Sequence, residues 1–146
     1  METILLPISG IKQKSMHCGP TCIEMVLKFY GYKNINQTQI GNDLKVVNRN
    51  GCYPSDVIRY LSRFNIVVVK TKRIKSISEI VKGYPIILGQ RDHFMLLIGY
   101  EDEKYIYVDP YTGRKNKASL EWFQREIVDL LIITSVEKDN GSQDNH

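Results

Sequence analysis

The 146-residue chain is long enough for one domain with one hydrophobic core. Its 42% apolar and 25% charged residues match ordinary globular proteins and exclude collagen-like, low-complexity and strongly charged classes. The net charge of +4 is spread along the chain, and the densest basic run, Lys70, Lys72, Arg73 and Lys75, lacks the aromatic or motif support that nucleic-acid binding requires. A solvated strand edge is expected there, and no nucleic-acid partner.

No stretch approaches the roughly 18 apolar residues of a membrane span. The N-terminal METILLPISG has neither a basic leader nor a long apolar run, so the chain reads as soluble and cytoplasmic. Cys18, Cys22 and Cys52 form an odd, sparse set, which argues against a disulfide framework and fits a reducing compartment.

In chain order, residues 1–12 read as an extended arm with a short apolar run from Ile4 to Pro7. A helix over 19–30 follows, with Cys22, Ile23, Val26, Leu27, Phe29 and Tyr30 on its apolar stripe, Pro20 in the first turn and Gly31 at the stop. Asn36 is placed to cap a short helix through Leu44. Pro54 or Ser55 opens another, with Val57, Leu61 and Phe64 on one face.

After Asn65 the pattern turns to sheet. IVVVK is a β-branched strand, IKSISEIVKGY a small helix capped by Ser78 and closed by Gly83, and PIILGQ a second strand. HFMLLIGY, EDEK and YIYVDP read as strand, turn and strand. A Tyr-Thr-Gly turn, a short helix SLEWFQRE and a final strand DLLIITSV complete the domain, expected over 1–136. The polar tail 137–146 is expected to be disordered. The pattern predicts an α+β fold with helices first and an antiparallel sheet after.

Cys18 stands directly before the first helix, where free backbone N–H groups and the positive end of the helix dipole stabilise a thiolate. Gly19, lacking a side chain, could let a substrate approach the thiol, and the Cys18 N–H becomes available to an oxyanion. Cysteine at a helix start also serves as a small packing residue, and Cys22, inside the apolar stripe, reads as core. Cys52 follows Gly51 in a loop without an evident partner. His17, Cys18, Cys22 and Cys52 lack paired CxxC-type spacing, so no metal is expected.

His93 opens the most strand-like segment beside the polar loop Gly89-Gln90-Arg91-Asp92, where an imidazole can act as a base or simply be a satisfied structural histidine. His17 abuts Cys18 on the outer side of the helix start, and His146 lies in the tail. Asp109 ends the next strand before Pro110, where it could hold the second ring nitrogen of His93 or form a turn. If the hairpin around Glu101–Lys104 pairs odd with odd positions, as when Gly99 opposes Tyr105, His93 and Asp109 share a face; a slip of one residue separates them. Gln13, five residues before Cys18, could donate its amide to an oxyanion.

Taken together, Gln13, HCGPTCIEMVLKFYG, HFMLLIGY and YIYVDP resemble the papain-like cysteine peptidases that process bacteriocin precursors with double-glycine leaders, in their broader standalone branch. The resemblance spans about residues 4–135. It implies a papain-like fold, Cys18 as nucleophile, His93 as general base and acid, Asp109 as its orienter and Gln13 as oxyanion donor, with no cofactor. The implied partner is a peptide or protein substrate, with association with a transporter open because such peptidases are often fused to one. Acyl transfer or isopeptide cleavage by the same triad, and a peptide-binding module of the same fold, are the alternatives.

Overall fold

The structure, a computed structural model, describes residues 3–72 and 83–137. Strand β1 (Ile4–Leu5) precedes four helices, α1 (Cys18–Phe29), α2 (Gln37–Leu44), α3 (Val46–Arg49) and α4 (Pro54–Ser62). Strands β2 (Ile66–Thr71), β3 (Ile86–Gln90), β4 (His93–Glu101), β5 (Lys104–Asp109) and β6 (Arg114–Ser119) follow, then α5 (Leu120–Glu126) and β7 (Asp129–Val136). The antiparallel sheet runs β2-β7-β3-β4-β5-β6, and β1 adds to β4. The small helix expected over residues 74–84 and the tail fall largely outside the described residues.

Helix α1 is apolar almost all round, and Cys22 through Leu27 are buried between the other helices and the sheet. One core joins α1, α2 and α4 to Phe94, Leu96, Ile98, Ile106 and Val108. A second packs α5 on the opposite sheet face, where Phe123 meets Met95, Leu97 and Tyr105. Successive strand residues point to opposite faces, so β4 and β5 serve both cores at once. This explains why HFMLLIGY carries no polar alternation: β4 is covered on both sides.

Two local predictions hold in detail. The Asn36 side chain accepts the Gln39 N–H at 3.0 Å, capping α2. Pro54 opens α4, where its missing N–H is not needed. Strand β6, RKNKAS, is not signalled by the sequence, because nothing in it is β-branched or aromatic; it forms as an edge strand through backbone pairing with β5.

The β4–β5 register is a partial correction. Tyr100 opposes Tyr105 and Gly99 opposes Ile106, one residue away from the expected Gly99–Tyr105 pairing. A bulge between Leu97 and Gly99 then shifts the ladder, so Leu97 opposes Tyr107 and Leu96 opposes Val108. Odd-with-odd pairing is thereby restored toward His93 and Asp109. At the bulge, the Leu6 N–H donates to the Ile98 carbonyl at 2.8 Å, and β1 occupies the edge of β4 that β3 leaves free beyond Ile86. A Cβ at Gly99 would overlap the Ile4 carbonyl oxygen, so only glycine admits this arm.

Asp56 anchors the loop before α4. It is 2% exposed, accepts the Tyr53 N–H at 2.7 Å, binds Arg49 through both carboxylate oxygens at 3.2 and 3.1 Å, and meets Arg59 at 2.7 Å. Burial pushes its carboxyl up, but the Tyr53 N–H and the two arginines outweigh that and hold it below the usual range. Asp56 therefore stabilises the fold above about pH 4, and that contribution is lost as pH falls through its depressed value. Asp56→Ala is expected to cost about 1–3 kcal/mol at neutral pH and less in acid, as read by urea unfolding at both pH values.

Candidate active site

The turn before α1 sets the thiol. His17 N–H donates to the Lys14 carbonyl at 3.0 Å, and Met16 between them takes a left-handed φ of 65°, a costly conformation for a long side chain. Cys18 is then the first residue of α1, one position earlier than the sequence suggested, with its backbone N–H among the unpaired donors of the first turn. His17 is 4% exposed rather than on the outer side of the helix start. Its Nδ1 meets the Ser15 carbonyl at 2.7 Å and its ring fills the space where a Gly41 side chain would stand.

His93 begins β4 opposite Gln90, after a two-residue turn in which Asp92 adopts a φ of 64°. Its Nε2 lies 2.7 Å from Asp109 Oδ1, leaving Nδ1 for Cys18. The hydrogen bond to Cys18 is the main influence raising the His93 pKa above the ordinary 6.5, opposed by burial and assisted by Asp109. The imidazolium is thus favoured beside sulfur and carboxylate.

Asp109 both orients His93 and builds a turn. Its Oδ1 also accepts the Tyr111 N–H at 3.0 Å, and its carbonyl accepts the Gly113 N–H at 2.8 Å. The turn reaches back to the N-terminal arm: the Gln13 N–H donates to the Pro110 carbonyl at 2.7 Å, and a Cβ at Gly10 would overlap the Gly113 carbonyl oxygen. Gln13 is therefore tied to the loop that carries Asp109. Its side-chain Nε2 donates to the Lys14 carbonyl at 3.3 Å, whereas Oε1 is buried without a partner.

A groove of about 710 Å³ opens over Cys18 and His93, with Gln13, Met16 and Arg49 through Pro54 on the helical side and Gly89, Gln90, Asp92, Phe94 and Asp129 on the sheet side. Of the residues singled out from the sequence, Cys18, His93 and Gln13 line this groove and Asp109 stands against His93, whereas Cys52 and Asp129 had been left unassigned. Cys52 packs against Gly19, where a Cβ would overlap its sulfur and stand 3.4 Å from Phe94. Gly19 is needed for that packing. Burial, with Cys18 nearby, pushes the Cys52 thiol up to about 12, and burial raises the Cys22 thiol as well. Neither is a ready nucleophile at neutral pH.

The His93 assignment predicts a titration. The Cε1 proton of His93 should titrate by NMR with a midpoint above 6.5. Both Cys18→Ala and Asp109→Ala should lower that midpoint, because each removes a group that favours the proton, and with both gone burial alone should carry it below 6.5.

A cysteine at a helix start facing a histidine-led antiparallel sheet is the architecture of the papain-like cysteine peptidases. The chain belongs to the Peptidase_C39 like family, whose model matches residues 5–127. No curated protein matches it. Among solved structures it is similar to a double glycine motif protease from an AMS/PCAT transporter in complex with the leader peptide, at 21% identity and a TM-score of 0.72, covering 91% of this chain and 97% of that one. The peptidase domain of Streptococcus ComA, a bi-functional ABC transporter of a quorum-sensing pathway, matches at 19% identity and 0.74, covering 86% and 97%. A Bacillus anthracis protein described as a C39-like peptidase matches at 16% and 0.70, covering 94% and 100%. At these identities the likeness concerns the fold.

Proposed function

We propose that this chain is a cysteine peptidase that cleaves a peptide amide, with a leader-type peptide as the leading substrate class. The observation that carries this reading is His93 held between Cys18 and Asp109, at 2.7 Å from the carboxylate, on the floor of an open groove.

In this reading the Cys18 thiolate attacks the scissile carbonyl carbon, and the carbonyl π electrons move onto oxygen. The Cys18 N–H is one donor to that oxyanion. Gln13, which lines the same groove, is the second: its NH₂ leaves the Lys14 carbonyl and donates to the oxyanion. His93 gives its proton to the leaving amine, the C–N bond breaks and a thioester remains on Cys18. Water, deprotonated by the now neutral His93, attacks the thioester and regenerates the thiol. Asp109 keeps Nε2 occupied, so that Nδ1 faces sulfur throughout.

Incubation with double-glycine leader peptides and a general peptide library, comparing wild type with Cys18→Ala, tests the reading. New termini that carry one water and vanish in Cys18→Ala are expected. Amine-capped products would point instead to acyl transfer, and the absence of any Cys18-dependent product would reject the enzyme.

A further inference from the structure

The groove carries a charge that the Cys18, His93 and Asp109 arrangement does not use. Two carboxylates line its sheet side, Asp92 and Asp129. The cation on the facing wall, Arg49, is already held through two hydrogen bonds by Asp56, at 3.2 and 3.1 Å. His93 is committed to Cys18 and Asp109. Among the described residues neither Asp92 nor Asp129 forms an ion pair.

Asp129 is the more distinctive of the two. Asp92 is exposed on a turn, where solvent and salt weaken its field. Asp129 is half-buried at the head of β7, and its Oδ1 is withdrawn from solvent without a hydrogen-bond partner. A carboxylate with one oxygen taken out of water and left without a donor is costly, and where its residue lines a ligand groove a cation on the ligand offsets that cost. The backbone holds it in place: Asp129 pairs with Gly89 across β3, and the Val128 N–H donates to the Gly89 carbonyl at 2.7 Å. Glycine at 89 keeps the space beside it open, since a Cβ there would stand only 3.2 Å from the Asp129 Cβ.

We propose that Asp129 is a specificity-determining residue that selects a lysine or arginine side chain of the bound peptide near the scissile bond. For turnover this rests on the peptidase reading above; for charge selection it needs only that ligands reach Cys18 through this groove. An ammonium or guanidinium in the groove pairs with the carboxylate and neutralises it, whereas an apolar residue leaves it without a partner and an acidic one adds repulsion.

The test uses alkylation of Cys18, which requires no amide cleavage. Lysine, norleucine and glutamate are presented as N-acetyl chloromethyl ketones, with the residue on the acyl side, and as chloroacetyl amides, with it on the amine side. Rates are read by peptide-resolved mass spectrometry of the full chain. On one of the two sides, lysine should exceed norleucine by about tenfold or more, with glutamate slowest. The lysine-to-norleucine ratio, taken within each variant so that general losses cancel, should collapse in Asp129→Asn, persist in Asp129→Glu and invert toward glutamate in Asp129→Lys. Equal rates on both sides in wild type, or a ratio unchanged in Asp129→Asn, overturns the proposal. Charge-selective alkylation with no peptide turnover would instead reject the peptidase reading while leaving Asp129 in its role.

Discussion

His93→Ala is expected to lower kcat/KM for peptide cleavage by roughly a thousandfold or more while leaving the protein folded. In the proposed reaction the imidazole has two tasks that no neighbour can assume: it partners the Cys18 sulfur and it protonates the departing amine. His17, the only histidine close in sequence, is buried with Nδ1 against the Ser15 carbonyl and its other nitrogen side packed toward Gly41. His93 itself lies at a strand start with its side chain 23% exposed, so its removal opens no core cavity. Alkylation of Cys18 should slow in parallel, because the imidazole that partners its sulfur is gone. A variant that retains near-normal turnover would show that the proton comes from elsewhere.

Gln13→Ala is expected to lower kcat by about a hundred- to a thousandfold with a much smaller change in KM. In the proposed reaction the donor serves charge that exists only after attack, so its loss is felt in the transition state rather than in binding. The backbone bond from Gln13 to the Pro110 carbonyl does not involve the side chain and survives the substitution. Gln13→Glu should be at least as damaging, since a carboxylate repels the oxyanion. A change confined to KM would assign Gln13 to substrate binding.

These expectations follow from residues that were legible in very different degrees. Cys18 and α1 are readable because an apolar stripe, Pro20 and Gly31 delimit a helix and put the thiol at its start. His93 and Asp109 stand at ends of strongly apolar strands, but their meeting depends on register, and one slipped residue would part them. The slip exists at Tyr100–Tyr105 and is cancelled by the bulge near Ile98. That bulge is stabilised by a contact with the N-terminal arm, a long-range event with no local signature.

Other parts of the site were illegible for related reasons. Cys52 touches Gly19 only because α3, a single turn between two residues in left-handed conformation, folds the loop back over the helix start. Asp129 reads as a polar residue before a strand. Its importance comes from the adjacency of β7 and β3, strands far apart in sequence, and from the bare Gly89 across the ladder. Strand β6 escaped notice because an edge strand next to β5 needs little more than backbone pairing.

The same geometry explains how a short arm before α1 can shape the chemistry. The arm adds β1 to β4, passes the bulge, crosses the Asp109 turn at Gly10 and Gly113, and delivers Gln13 beside Cys18. Gln13, Cys18, His93 and Asp109 are thus held by one continuous set of backbone hydrogen bonds rather than by side-chain packing alone. Such support suits the small tolerances that the proposed acyl transfer demands.

The most direct test of the central claim is to quench wild-type protein with acid during cleavage of a peptide substrate and weigh the intact chain. An acyl adduct localised to Cys18, present with turnover and absent in Cys18→Ala, is the result expected of a Cys18 thioester. Cleavage that persists in Cys18→Ala, or proceeds in wild type with the acyl group on another residue, would contradict it.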